Sequence, residues 1–135
     1  FAILKELTQT RGLDKGAFGQ RLAGLEMDIQ AVEITEQRVI IELQTTGRIG
    51  PASSLLKLCA GNTLQAISEC SLEAIGVYAA PYQLAARDWG SNLEPIGSND
   101  ELTVVASYLD QRARSIAGGS DEVQRNIMAK HILGM

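Results

Sequence analysis

Apolar residues in this chain recur at steps of three and four, the period of an α-helix, and alternation at a step of two is scarce. Phe1, Ile3, Leu4 and Leu7 predict a first helix over residues 1–11, stopped by Gly12. A second, long helix is predicted from just after Asp14 to about Thr46, with the stripe Phe18, Leu22, Leu25, Ile29, Val32, Glu36, Val39 and Leu43. Gly47 and Gly50-Pro51 give a stop and a restart, proline being acceptable in a first helical turn. The third helix covers roughly 52–76, its buried face expected from Leu56, Cys59, Ala60, Leu64, Ile67, Cys70, Ala74 and Ile75. Gly61 inside it costs about 1 kcal/mol relative to alanine, which points to a close helix contact. Residues 79–99 hold Pro81, Gly90, Pro95 and Gly97 and read as a long loop. Ser98-Asn99-Asp100-Glu101 is a capping box that opens a fourth helix to about Ile116. After Gly118-Gly119 a last helix runs to Leu133, capped by Gly134, with Lys130 and His131 at the negative end of its dipole. The fold class is therefore all-α, an up-and-down helical bundle, antiparallel where the loops are tight.

Composition narrows the choice of function. The 135 residues suit one domain, and 16 acids against 12 bases with no basic block argue against a phosphate-tracking nucleic-acid surface. No apolar run approaches the roughly 18 residues of a membrane span, and no signal peptide is evident. Cys59 and Cys70 fall in one predicted helix about 16 Å apart along its axis, too far for a disulfide, and are expected as buried thiols of a reduced, cytoplasmic protein. His131 is the only histidine, so neither a metal site nor a Ser-His-acid triad is indicated. Gly16-Ala17-Phe18-Gly19 and Gly118-Gly119 do not follow predicted strands, which excludes phosphate loops of the Rossmann or Walker kind. Glu36 interrupts an apolar stripe. It is expected to meet an arginine such as Arg112 or Arg114; a base with a raised pKa and simple exposure at a helix bend are the alternatives.

The densest chemistry lies in Ala117-Gly118-Gly119-Ser120-Asp121-Glu122-Val123-Gln124-Arg125-Asn126-Ile127, running on to Lys130-His131-Ile132-Leu133-Gly134. Glycines let a backbone approach a ligand closely, and the first N–H groups of a helix face outward toward whatever docks there. This block resembles the C-terminal signature of acyl-CoA dehydrogenases, a glycine-threonine-polar-Glu-Ile-Gln-Arg run and a helix ending in basic residue-x-Leu-Gly. Ser53-Ser54-Leu55-Leu56-Lys57-Leu58 resembles the family's helix with Ser/Ala-x-x-Lys-Leu. Leu72-Glu73-Ala74-Ile75-Gly76, with Pro81-Tyr82 after it, resembles a bacterial branch that includes pimeloyl-CoA dehydrogenase large subunits.

The resemblance implies that residues 1–135 are the C-terminal helical domain of such an enzyme, with the N-terminal helical and middle β domains outside this chain. Consistent with that, the chain enters at Phe1 in the middle of a helical pattern, as expected of a fragment or processed product. In the family, FAD accepts a β-hydride while a carboxylate takes the α-proton of an acyl-CoA, giving the trans-2-enoyl-CoA, and hydrogen bonds hold the thioester enolate. Carried over by register, Gly119 lies beside the substrate, and Ser120, Asp121 and Glu122 fall in the segment contacting FAD. Gly76 ends what stands for the family's Gln-x-x-Gly-Gly flavin-pyrophosphate motif, here Glu73-Ala74-Ile75-Gly76-Val77. Gly118 occupies the position of the catalytic glutamate of many relatives, so no catalytic residue is assigned within the chain; some branches carry that carboxylate on an earlier helix, which would precede Phe1. The arginine-x-x-Phe-Gly segment is altered, Arg11 and Phe18-Gly19 being separated by Gly12-Leu13-Asp14-Lys15 and neighbours. The implied partners are an acyl-CoA, an electron-transfer flavoprotein or equivalent acceptor, and further copies of the chain in a dimer or tetramer. A non-catalytic subunit or assembly module pairing with an active partner is the alternative.

Overall fold

The computed structural model describes all 135 residues. It is all-α: six α-helices, no strand and no cis peptide bond. They are α1 (Ala2–Thr10), α2 (Gly16–Thr46), α3 (Ala52–Ile75), α4 (Leu84–Arg87), α5 (Asn99–Gln111) and α6 (Asp121–Met128). Tighter 3₁₀ turns follow α3 (Gly76–Ala79) and α5 (Arg112–Ser115), and a wider π turn (Ala129–Leu133) follows α6. The fourth and last predicted helices thus end about where expected, but with final turns of changed pitch, whereas α3 is regular to Ile75 and its 3₁₀ turn carries the chain past the expected end. The loop expected over 79–99 contains the short α4. No helix is long and apolar enough to cross a membrane.

The chain divides into two compact units, Phe1–Leu22 with Gln65–Arg112, and Ala23–Leu64 with Ala113–Met135. The first has a core of Leu7, Ile75 and Val104, with Ala79 and Val105 packed against it. Arg11 crosses it from the end of α1: its guanidinium donates to the Ile75 carbonyl at 3.3 Å, pairs with Glu101 and lies 5.1 Å from the centre of the Tyr78 ring. Glu101 is only 7% exposed and completes the expected capping box, accepting from the Ser98 N–H at 2.8 Å while the Ser98 hydroxyl accepts from the Glu101 N–H. Burial opposes its charge, but the Ser98 N–H and the Arg11 guanidinium outweigh that, and its pKa is lowered.

In the second unit Leu25, Leu58, Ser54, Thr63 and Gln124 are buried. Gly61 faces Arg114, whose Cβ would lie 3.8 Å from an added Cβ, so the contact is close but would admit alanine.

Three expectations need correction. Glu36 is exposed, one of the alternatives left open, rather than paired with an arginine; Arg112 pairs with Glu69 at 2.7 Å. On α3, Leu64 is exposed while Leu58 and the small polar Ser54, Thr63 and Ser68 are buried. Hydroxyls tolerate burial on a helix when they bond back to a carbonyl, as Ser68 does to Gln65 at 2.7 Å. Both cysteines are free and Cys70 is buried, as expected, but Cys59 is only half-buried.

Candidate functional site

The segment leading into α6 is built from conformations that only glycine adopts easily. Gly118 and Gly119 both lie at positive φ, +73° and +95°, and turn the chain so that Ser120 enters α6 as its N-cap. The Ser120 hydroxyl accepts from the Val123 N–H at 3.4 Å. A Cβ at Gly118 would meet open space, whereas one at Gly119 would stand 2.7 Å from the Gln124 amide nitrogen. That amide donates to the Gly118 carbonyl at 2.9 Å from a side chain only 9% exposed. Gln124 thus ties the turn to the helix it starts.

Two carboxylates stand at this helix start, where the dipole favours negative charge. They have different partners. Asp121 accepts from the Lys57 ammonium, on α3, at 2.6 Å, the two side chains being 18% and 20% exposed. Glu122 is exposed; hydrogen bonding to its own backbone N–H, and then to the Ser120 side chain, lowers its pKa. Of the positions singled out by the sequence, Gly118, Gly119, Ser120, Asp121 and Glu122 therefore form one turn in the second unit. Gly76 belongs to the first unit, where it ends α3 at φ +56°.

Near Gly76 the chemistry is set by Glu73. Its carboxylate receives the Arg21 guanidinium at 2.5 and 3.2 Å, a bidentate pairing that lowers the Glu73 pKa. The same guanidinium donates to the Cys70 sulfur at 3.2 Å, and burial pushes the Cys70 thiol up against the pull of that charge. Sequence reasoning missed Arg21, Lys57 and Gln124. Lys57 and Gln124 lie within stretches already singled out, but their partners are set by folding. No group of side chains is arranged to hold a metal ion.

The family model described as acyl-CoA dehydrogenase, C-terminal domain, matches residues 4–133, nearly the whole chain. The chain belongs to the acyl-CoA dehydrogenase family. Comparison with curated proteins and with solved structures found no match.

Acyl-CoA dehydrogenases generally use FAD, and the residues here can be tested against it. The α6 turn presents a hydroxyl, the backbone of two glycines and carboxylates of which one is neutralised by Lys57. That set suits the uncharged, hydrogen-bonding parts of a flavin dinucleotide better than a bare phosphate, which Glu122 would repel. At Glu73 the negative charge that would oppose a pyrophosphate is offset by Arg21, and Gly76 leaves open space beside it. Both places are compatible with the cofactor.

Proposed function

We propose that the chain acts as the C-terminal domain of an FAD-dependent acyl-CoA dehydrogenase, joined in the full-length protein to N-terminal helical and middle β domains. The reaction is the α,β-dehydrogenation of an acyl-CoA to its trans-2-enoyl-CoA. The observation that carries this reading is the turn at Gly118–Glu122, which sits within the family match and folds as a glycine turn opening a capped helix.

In this reading Gly119 lies beside the acyl-CoA, and its missing side chain leaves the Gln124 amide room to hold the turn. Ser120, with Asp121 and Glu122 behind it, contacts the flavin by hydrogen bonds, and Gly76 lets the backbone approach the cofactor closely. When bound, FAD would supply the acceptor for the β-hydride. Gly118 has no group to take the α-proton; in this reading a carboxylate on an earlier helix takes it, as in some branches of the family. Electrons leave to an electron-transfer flavoprotein or an equivalent acceptor in the cytoplasm.

Copies of the chain associate through this domain. Met27, Ile34 and Ile41 recur at a step of seven along α2 and are 70%, 58% and 60% exposed, an apolar line that a second copy would cover. A second reading, a non-catalytic subunit that supports an active partner, is favoured by Gly118 alone. The test is flavin content of the purified full-length protein and of its Ser120→Ala variant. Stoichiometric flavin that falls on substitution supports the enzyme reading. A full-length protein that never binds FAD would leave the assembly role.

A further inference from the structure

The ion pair between Lys57 on α3 and Asp121 at the start of α6 has a use that its energy does not explain. Each side chain is about four-fifths buried, with 20% and 18% exposure, and the Nζ–Oδ1 distance is 2.6 Å. Removing two charges from water costs about what their attraction returns, and well-packed apolar residues would hold the two helices at least as firmly. What an apolar contact lacks is direction: a short charge-assisted hydrogen bond fixes one atom of α6 against one atom of α3.

The atom it fixes is well chosen. Asp121 is the first residue of α6, directly after Gly119 and Ser120. Two consecutive glycines at positive φ are the most permissive backbone in the segment, and no side chain of their own restrains them. Gln124 holds the Gly118 carbonyl at 2.9 Å, but Gln124 is itself part of α6, so this bond stiffens the turn without anchoring it elsewhere. Lys57 supplies an anchor outside the segment, 64 residues earlier in the chain. It also cancels the charge of Asp121, while the exposed Glu122 feels the opposite charge of Arg125 on the same helix.

We propose that Lys57 is a positioning residue for cofactor binding: through Asp121 it sets where the Gly119–Ser120 turn stands and keeps that turn from repelling an electron-rich ligand. The role rests on the reading that this turn contacts FAD, and it assigns Lys57 no contact with cofactor or substrate. Groups that orient a ligand's direct partners typically alter affinity by about 10- to 100-fold when removed, and the lower part of that range is expected here.

The test uses the full-length holoenzyme and four variants, Lys57→Met, Lys57→Arg, Asp121→Asn and Ser120→Ala. Each is stripped of flavin and retitrated with FAD, and the melting temperature of each apoprotein is recorded in parallel. Lys57→Met and Asp121→Asn are expected to weaken FAD binding about tenfold, by the same factor alone and combined, because both break one link. Lys57→Arg, which keeps the charge and can reach the carboxylate, is expected to recover most of the affinity. Should Lys57→Met not fold, Asp121→Asn and its combination with Lys57→Arg carry the comparison. Loss of affinity in Ser120→Ala with none in Lys57→Met or Asp121→Asn overturns the positioning role and leaves the flavin reading standing. Unchanged affinity in all variants overturns both. A loss that follows the apoprotein melting temperature and is not recovered by arginine reduces Lys57 to a structural residue and also overturns the proposal.

Discussion

Replacing Glu101 should weaken the first unit more than any surface carboxylate does, and in a way that depends on pH. This side chain accepts from the Ser98 N–H at 2.8 Å, pairs with Arg11 and is 7% exposed. Glu101→Ala removes half of the capping box, worth about 1 kcal/mol, and strands the Arg11 guanidinium. Breaking a fully buried pair costs about 3–5 kcal/mol, but Arg11 is 28% exposed and water recovers part of that, so a total of about 2–4 kcal/mol is expected. With roughly 3–5 °C per kcal/mol for a chain of this size, the melting temperature should fall by about 10 °C. Glu101→Gln keeps an acceptor for Ser98 and loses only the charge, so about half that fall is expected.

The pH dependence follows from the lowered pKa of Glu101. A carboxylate whose folded pKa lies below its unfolded value of about 4.3 contributes stability that is present above that value and is lost as pH falls through the folded pKa. Wild type should therefore lose its advantage over Glu101→Gln on acidification below about pH 4.3, and hold it unchanged above. Thermal unfolding followed by far-ultraviolet circular dichroism across that range measures both quantities. A Glu101→Gln variant that melts with wild type at neutral pH, or a gap that widens in acid, would refute the reasoning.

Gly118→Ala should cost about 1 kcal/mol, the penalty of a left-handed conformation, while Gly119→Ala should cost about 2–3 kcal/mol because its methyl also displaces the Gln124 amide from the Gly118 carbonyl; urea unfolding gives the order. The 135-residue chain alone should lose added FAD on desalting, since a cofactor that spans domains keeps only part of its contacts here; a stoichiometric yellow protein would contradict this. Light scattering of the chain at micromolar concentration should show a dimer or tetramer, and a Met27→Lys/Ile34→Lys variant should shift it toward the 14.5 kDa monomer.

Local rules made much of the fold legible. The stop at Gly12, the restart at Gly50-Pro51, the reciprocal Ser98–Glu101 cap and the left-handed Gly134 are decided by a few adjacent residues, and all appear where the sequence puts them. Periodicity was less informative about faces. It marks which residues are apolar, but not which side of a helix is covered, so Leu43 and Leu64 fall on exposed surface while Ser54 and Thr63 are buried. The pairs Arg11–Glu101, Arg21–Glu73 and Lys57–Asp121 join residues 90, 52 and 64 apart, and no spacing rule connects them. The glycine turn was readable because its chemistry is contiguous; the lysine that anchors it was not.

The most direct test of the proposed chemistry is an anaerobic titration of the full-length protein with a series of acyl-CoA thioesters, watching the visible absorbance of its flavin. Bleaching by at least one saturated acyl-CoA, with the corresponding trans-2-enoyl-CoA recovered in equal amount, is the expected result. A flavin that remains oxidised with every thioester, or a protein without flavin, would contradict the assignment of this chain to a working dehydrogenase.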